Sequence, residues 1–190
     1  MSLRPTLRFA AVVLAIAAAA PAAAQQKLVP AQSEISFTSK QMGVPVDGRF
    51  RKFDAQIAFD PKKPETAKIA MAIDLASVAL GVAETEAELA KPDWFHIKQF
   101  PQATFQSTSV KPLAGGKYEV AGKLAIKGAS RDVVVPVALA QNGGQTTASG
   151  QFAIKRLDFR IGDGDWKDTS MVADDVQVKF KLVLAGVPAL

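Results

Sequence analysis

Chemistry near neutral pH most often uses histidine or cysteine, and this chain has one histidine, His96, and no cysteine. His96 lies in the aromatic stretch PDWFHIKQFP, three residues after Asp93. A histidine that acts as a general base needs a nucleophile and an orienting group within reach. The sequence gives no sign of that set, so a packed or hydrogen-bonded histidine is the favoured interpretation and no catalytic residue is predicted. An enzyme that uses His96 with Asp93 or Asp165 is the less favoured alternative.

The carboxylates of the segment GDGDWKDTS, residues 162–170, are the chain's best candidates for metal ligands. Asp163 and Asp165 follow part of the spacing of a calcium-binding loop. Lys167 stands at a ligand position of that loop, however, and Asp168 replaces the glycine that the loop requires. The sequence also lacks the HxH and HExxH spacings and the GxSxG, GxGxxG and Walker patterns. We therefore predict a solvated loop, no metal site and no cofactor.

The elements that must position these residues are predicted to be β-strands. In KYEVAGKLAIKG, residues 117–128, apolar side chains and glycine alternate with a face that carries lysine and glutamate. A turn then leads into a valine-rich strand over residues 131–139. Similar segments recur to give about eight strands joined by short turns, without a βαβ rhythm, so the sheet should be antiparallel. Residues 41–48 are predicted to be a loop or a bulged bend, and residues 80–91 form the only convincing helical window.

The N-terminal residues 1–24 have the pattern of a cleaved secretory signal peptide. Arg4 and Arg8 precede an apolar run of about 12 residues, which is too short to span a membrane, and small residues follow it. Residues 25–190 would then form a single exported domain, which we place in the periplasm. Removing the two arginines lowers the net charge from +5 to +3, and this mild charge does not favour nucleic acid as a partner.

The apolar side chains on the inner face of such a sheet can either meet in a filled core or enclose a cavity. The list of apolar positions alone favours a filled core. A barrel of eight strands is, however, near the size at which the interior either just fills or holds one small ligand. Small inward residues, Ala103 and Gly122, would leave room. Arg131, Arg156 and Asp158 are able to form an ion pair in or near the barrel wall, for which a structural role is favoured.

Several segments resemble, in order and spacing, the pattern of the YceI-like family over residues 27–185. The segments are Phe37 in SEISFTSK, Gly48-Arg49-Phe50, IDLASV at 73–78, Asp93-Trp94-Phe95 with Phe100-Pro101, Phe105, GKLAIKG at 122–128, and RLDF at 156–159. The resemblance implies an all-β, eight-stranded antiparallel lipocalin-like barrel, with one short helical insertion that covers an opening. Some members of the family hold a polyisoprenoid chain inside the barrel, and this moves the balance toward a cavity.

The resemblance implies a protein that binds a polyisoprenoid, an isoprenoid quinone or a similar lipid as a periplasmic carrier or sink, without catalysis. The inward-facing residues and the aromatic lid would form the binding site, which comprises Phe37, Phe50, Phe53, Ile57, Phe59, Met71, Ile73, Trp94, Phe95, Phe105, Tyr118, Leu124, Phe152, Ile154 and Phe180. A second alternative, which is not an enzyme, is an interaction module that binds a membrane redox protein through its rim loops. The chain could be a monomer or a homodimer.

Overall fold

A computed structural model describes residues 26–190, so the expected signal peptide, residues 1–24, lies outside the described residues. The strands are β1 (Lys27–Leu28), β2 (Glu34–Gln41), β3 (Val44–Phe50), β4 (Phe53–Ala58), β5 (Lys68–Asp74), β6 (Val78–Ala79), β7 (Gln102–Pro112), β8 (Lys117–Ile126), β9 (Ala129–Asn142), β10 (Gln145–Lys155) and β11 (Asp175–Ala185). One α-helix, α1, spans Ala83–Leu89. Short 3-10 turns lie at Pro30–Gln32, Pro64–Thr66, Leu75–Ser77, Arg156–Phe159 and Gly164–Lys167.

All strand pairs are antiparallel, in the order β4-β5-β7-β8-β9-β10-β11-β2-β3-β6, and β1 also pairs with β11. This confirms the predicted all-β antiparallel barrel with one short helix. The number of long strands is the expected eight if β3 and β4 are counted as one strand that bends at Arg51-Lys52. Counted separately they make nine, because the bend interrupts the ladder between Phe50 and Phe53.

The barrel closes where β3 runs into β4 beside the segment that joins β5 to β6. The amide of Arg51 donates to the Ser77 carbonyl at 3.1 Å, and the amide of Asp74 donates to the Lys52 carbonyl at 3.0 Å. At the opposite end of β4, the side-chain amide of Gln26 replaces a strand partner. It donates to the Phe59 carbonyl at 2.6 Å and accepts from the Phe59 amide at 2.9 Å. These hydrogen bonds tie the ends of β4 to the rest of the barrel, although the outer edges of β3 and β4 carry no further ladder within residues 26–190.

The prediction of a loop over residues 41–48 was wrong, because β2 and β3 form a hairpin with only Met42 and Gly43 between them. The alternation of the segment is hidden by its glycines and by Pro45. Beyond β2, this stretch of β3 has no second partner strand within residues 26–190, since β6 pairs only with Arg49 and Phe50. A proline is tolerated in such a place because no ladder hydrogen bond depends on its missing N–H.

Two groups of buried apolar residues divide the interior lengthwise. One contains Trp94, Phe95, Phe159 and Ile161 and lies at the end of the barrel that α1 and the two C-terminal 3-10 turns cover. The other contains Phe59, Val110, Leu184 and Val187 and lies at the opposite end. Within residues 26–190, the helices are all too short or too polar to cross a bilayer.

Candidate functional site

The interior of the barrel holds a cavity of about 570 Å³. Its wall includes inward-facing side chains from every strand of six or more residues. Val176 and Leu184 both line it and lie eight residues apart on β11, so it extends roughly 26 Å along that strand at about 3.3 Å per residue. The filled core that the apolar positions alone favoured is therefore wrong. The cavity that the family resemblance favoured is present. Its size falls within the range of about 300–1,000 Å³ that is typical of small-molecule sites.

Glycines on the inner wall help to keep the centre hollow. The ring of Phe37 on β2 lies over Gly48 on β3, and the ring of Phe180 on β11 lies over Gly150 on β10. A Cβ atom on Gly48 would come within 2.3 Å of the Phe37 ring, and one on Gly150 within 2.6 Å of the Phe180 ring. Each glycine thus lets an aromatic ring of the neighbouring strand lie along the wall and not across the cavity.

The same arrangement corrects one expectation about free space. Gly122 was expected to leave room in the cavity, but the ring of Phe105 fills the place above it, 2.4 Å from where a Cβ atom would lie. The room gained at Gly122 is therefore occupied, and the cavity benefits only because the Phe105 ring is drawn toward the wall. Ala103, the other small residue, is buried and does line the cavity.

Fourteen of the fifteen predicted site residues line the cavity. They are Phe37, Phe50, Ile57, Phe59, Met71, Ile73, Trp94, Phe95, Phe105, Tyr118, Leu124, Phe152, Ile154 and Phe180. Phe53 does not, because the bend at Arg51-Lys52 places it at the start of β4, beside a smaller hollow that Pro30 and Ser33 also border. Phe50 touches both spaces, so the bend separates two phenylalanines that were both predicted to line the binding site.

The cavity opens between the β2–β3 hairpin and α1. Of the residues that line it, the solvent-exposed ones are Gln41, at the end of β2, and Glu84 and Thr85, on α1. Ser39 and Glu88 add further polar groups at this opening. Away from it the wall is apolar apart from a few side chains. A ligand in this cavity would therefore bury an apolar body and keep a polar end near the opening.

The sequence pattern missed the residues that form the opening, and only some of them carried a signal. Ser39 and Gln41 continue the alternation of Ile35 and Phe37, so strand periodicity could have placed them on the inner face. Glu84, Thr85 and Glu88 come from a helix that sequence reasoning treated as a cover without assigning it a lining face. Trp166 and Val172 come from a loop without periodicity, and no local pattern predicts their position.

Arg156 fixes the loop that closes part of this end. Arg156 is 2% exposed, and its guanidinium group donates only to backbone carbonyls. The acceptors are Ala173 at 3.2 Å, Ile161 at 2.8 Å, Gly162 at 2.9 Å, Trp166 at 2.7 Å and Val172 at 2.8 Å. All five N–H groups of the side chain are thereby satisfied.

The expected ion pair among Arg131, Arg156 and Asp158 is not formed within the described residues, since the guanidinium of Arg131 donates to the Ser130 carbonyl. Burial lowers the pKa of Arg156 from its usual value, and the nearby carboxylates of Asp174 and Asp163 oppose that shift. The structural role that the sequence favoured for Arg156 holds, but its partners are the carbonyls of a loop. The pattern of charged residues in the sequence could not have predicted these carbonyl partners.

Lys127 is a second buried cation that contacts the same loop. Its ammonium group donates to the carbonyls of Asp93, at 3.1 Å, and of Arg160, and lies 3.6 Å from the Asp163 carboxylate. Burial lowers the pKa of Lys127, and the attraction of Asp163 opposes the shift. Lys127 therefore ties the turn between β8 and β9 both to Asp93, which precedes Trp94, and to Arg160 in the loop.

His96 lies outside the cavity lining. Its ring packs edge-on against Phe100, with ring centres 5.9 Å apart, and its carbonyl accepts from the amides of Gln99 and Phe100. Across residues 26–190, its side chain shares no hydrogen bond with Asp93 or Asp165. The backbone of His96 has a φ of 51°. These contacts fit a residue that shapes the turn after α1.

The carboxylates of the 162–170 loop have separate partners. Asp163 faces Lys127, and Asp168 accepts from the amide and hydroxyl of Ser170 at 2.8 and 2.7 Å. No group of three or more His, Asp or Glu side chains within residues 26–190 is placed to hold a metal ion. The loop is stabilised by its own hydrogen bonds.

The comparison with protein families agrees with this geometry. The family model described as the YceI-like domain matches residues 26–184, which covers every strand of the barrel except the last residue of β11. The chain belongs to the YceI-like family. The resemblance inferred from the sequence is thereby confirmed, and the antiparallel barrel is the fold of this YceI-like domain.

Solved structures show how far the YceI-like barrel is shared. BcnA from Burkholderia cenocepacia is 50% identical, with a TM-score of 0.80, and the match covers 82% of this chain and 98% of BcnA. A polyisoprenoid binding domain from Saccharophagus degradans is 18% identical, with a TM-score of 0.68, and the match covers 85% of this chain and 98% of that domain. The second likeness shows the fold alone.

Among curated relatives, a UPF0312 protein of Azotobacter vinelandii is 34% identical over 88 residues, which is 46% of each chain. The matched part of this YceI-like chain thus spans about half the length of that relative.

Proposed function

We propose that this YceI-like protein binds one long apolar molecule, an isoprenoid or acyl lipid, in its cavity and carries it through the periplasm without changing it. The observation that supports this proposal is the elongated apolar cavity, whose polar groups gather at an opening beside α1. The export in this proposal is supported by the signal-like pattern of residues 1–24. In this role α1 acts as the lid of the opening, and Trp94 and Phe95 line the cavity beneath it.

The energetics suit a hydrocarbon chain. Each buried CH₂ group contributes about 0.8 kcal/mol, so ten of them contribute about 8 kcal/mol before the entropic cost of association. The wall provides few polar partners deep in the cavity, so affinity would depend on chain length and shape more than on a particular head group. Polar atoms of the ligand would lie near Gln41, Glu84 and Glu88.

An isoprenoid chain is the first ligand to test. The Saccharophagus degradans neighbour is described as a polyisoprenoid binding domain, and it shares the barrel fold with this chain. A binding role without catalysis is supported by the position of His96, which packs on Phe100 outside the cavity. It is supported as well by the wall, where apolar side chains outnumber groups able to transfer a proton.

The decisive experiment is mass spectrometry of an organic extract of the protein purified from its own host without detergent. We expect a stoichiometric isoprenoid or acyl lipid. The variant Ala148→Trp places an indole in the cavity, because Ala148 is buried on the inner face of β10. Ala153→Trp is the matched control, since Ala153 lies on the same strand and faces solvent.

Bound lipid should fall at least severalfold in the Ala148→Trp variant and remain unchanged in the Ala153→Trp variant. Overpacking a core usually costs about 1–3 kcal/mol, so circular dichroism must show that both variants are folded. Ala148→Leu, a smaller insertion, provides a second variant if the indole prevents folding. An extract without lipid from folded wild-type protein, or equal lipid in all variants, would contradict the proposal.

A further inference from the structure

Exposed apolar side chains concentrate at the opening of the cavity. Within residues 26–190, seven large apolar side chains are well exposed, and four of them flank this opening. They are Met42 (65% exposed), Val44 (63%), Val82 (51%) and Met171 (44%). We call these four residues the rim patch. Single exposed apolar residues are ordinary, but their accumulation around one opening marks an interaction surface.

The backbone places the members of the rim patch around the opening. Met42 directly follows Gln41, which lines the cavity, and its amide donates to the Met171 carbonyl at 2.8 Å. Met171 in turn precedes Val172, another lining residue. Val82 precedes α1, whose Glu84 and Thr85 form the other side of the opening. A molecule that enters the cavity must therefore pass this apolar rim.

Met42 is an unusual residue for its position in the fold. It occupies the first position of a two-residue hairpin turn with a φ of 48°, and Gly43 follows with a φ of 81°. Turns of this type favour asparagine, aspartate or glycine, because other side chains are strained at positive φ. An exposed methionine here gains little packing in return. Folding stability does not account for its presence, whereas contact with an apolar surface would.

We propose that the rim patch docks the protein on the surface of a lipid bilayer, so that a ligand passes between membrane and cavity without crossing water. This inference rests on the proposed function, because only a membrane-dwelling ligand needs such a transfer. Affinity for a bilayer scales with the apolar area that is inserted, so a few side chains give weak, reversible docking without a matching partner surface. A specific protein partner would require about 800 Å² on each side, which four side chains do not provide.

The charges near the rim patch favour a bilayer without strong net charge. Lys40 at the end of β2 and Lys167 in the 162–170 loop are basic, while Glu84, Glu86 and Glu88 on α1 and Asp168 in the loop are acidic. Because these charges have opposite signs and lie at the same surface, their attraction to a charged bilayer partly cancels. Docking should therefore depend on apolar insertion and respond little to salt, since the salt-sensitive Coulomb attraction is small.

The test is co-sedimentation with phosphatidylcholine vesicles at low and at physiological salt. The double variant Met42→Asn/Val44→Asn removes two members of the rim patch. Loss of a buried methionine or valine contact corresponds to about tenfold or more in affinity. We expect vesicle binding to fall at least about tenfold. The control is Leu113→Asn, which removes an apolar side chain that is 54% exposed at the opposite end of the barrel.

A second readout separates docking from folding. Met42→Asn alone should raise the thermal midpoint, because asparagine tolerates positive φ better than methionine, while vesicle binding falls. Opposite signs for the two measurements support docking. Equal vesicle binding by wild type and the double variant, or an equal loss with Leu113→Asn, would overturn it.

The outcomes also distinguish this inference from the proposed function. Wild-type protein that takes up lipid from detergent micelles but fails to bind vesicles would refute docking and leave the carrier function standing. The same holds if the double variant loses binding only to a membrane protein reconstituted in the vesicles. Wild-type protein that binds vesicles through the rim patch but never contains lipid would refute the carrier function and retain the docking surface.

Discussion

Two segments cover the same end of the cavity, and they are held in place very differently. The loop of residues 156–173, which we call the anchored loop, surrounds the buried guanidinium of Arg156, which donates to five carbonyls of the same loop. The segment from Gly81 to Ala90, which contains α1 and which we call the helical cover, has no buried residue among those described. Its start depends on the Glu86 carboxylate, which accepts from the amides of Leu80 and Gly81 at 2.8 and 3.0 Å.

The difference indicates which wall of the opening moves. Local opening is drawn from segments with few buried contacts and exposed hydrogen bonds. The helical cover meets this description, while the anchored loop does not. We therefore expect a ligand to enter by displacement of α1, while Trp166 and Val172, which line the cavity, keep their places in the anchored loop. On this expectation, one end of the barrel combines a wall held by buried hydrogen bonds with a wall that opens more easily.

Among the substitutions that test the difference between the two covers, a change of Arg156 should lower the free energy of unfolding most. Arg156→Met keeps much of the apolar stem but leaves five loop carbonyls without their donors. Breaking such a buried polar network typically costs about 3–5 kcal/mol. We expect a loss of that size in the free energy of unfolding, measured by urea denaturation, and proteolytic cleavage within the anchored loop.

Arg160→Met is the matched control for this prediction. Arg160 is an exposed arginine in the same loop region, so its loss should change stability by no more than about 0.5 kcal/mol. If Arg156→Met costs less than the control does, the anchored loop owes its rigidity to packing, and the contrast between the two covers would have to be explained in other terms.

Lys127 should have an intermediate effect, and its contribution depends on pH. Lys127→Met removes donors from the carbonyls of Asp93 and Arg160, so we expect a loss of about 1–3 kcal/mol near neutral pH. Lys123→Met, on the exposed face of β8, is the control. Its ion pair with Asp132 is largely exposed to water, so the loss should be below about 1 kcal/mol.

The pH dependence follows from the direction of the Lys127 shift. Burial lowers its pKa in the folded state below the ordinary 10.5, so the unfolded chain binds more protons between the two values. Stability should therefore rise with pH as the pH passes through the lowered folded pKa toward 10.5. The difference in unfolding free energy between wild type and Lys127→Met, measured across this alkaline window, isolates the effect. A difference that falls as pH rises would reverse our assignment of burial as the dominant cause.

The barrel wall was predictable from the sequence because its signal is local. Alternation places Ile35, Phe37, Val178 and Phe180 on one face whatever the rest of the chain does, and period-two spacing survives in the fold. The pattern fails where the period is broken. Phe53 follows a bend of two residues, and that bend is decided by hydrogen bonds from Arg51 and Asp74 to distant parts of the chain.

The covers of the cavity were less predictable because their contacts are irregular. The acceptors of Arg156 are carbonyls, which every residue possesses, so no residue type reveals them. For a similar reason, the sequence pattern alone could not decide whether the interior is hollow or filled. Whether Phe37 and Phe180 meet in the middle depends on the glycines that face them across neighbouring strands, and strand register is fixed only by the complete sheet.

The smallest effect should come from the helical cover. The amides of Leu80 and Gly81 lower the pKa of the Glu86 carboxyl below its ordinary value. The carboxylate therefore stabilises the start of α1 at every pH above the ordinary pKa of glutamate. This contribution is lost as the pH falls through the lowered pKa of the folded state. Glu86→Gln should raise hydrogen exchange of the α1 amides about two- to fivefold at neutral pH, with the barrel strands unchanged.

Glu84→Gln makes the same change of charge on α1, but the Glu84 carboxylate makes no hydrogen bond to Leu80 or Gly81 within the described residues, so it serves as the control. As pH falls, wild-type exchange should approach that of Glu86→Gln, because protonation removes the same charge. If both variants accelerate exchange equally, the helix responds to net charge alone. If instead the strands exchange with α1, the cover and the barrel open as one unit, and the distinction between a fixed and a movable wall is lost.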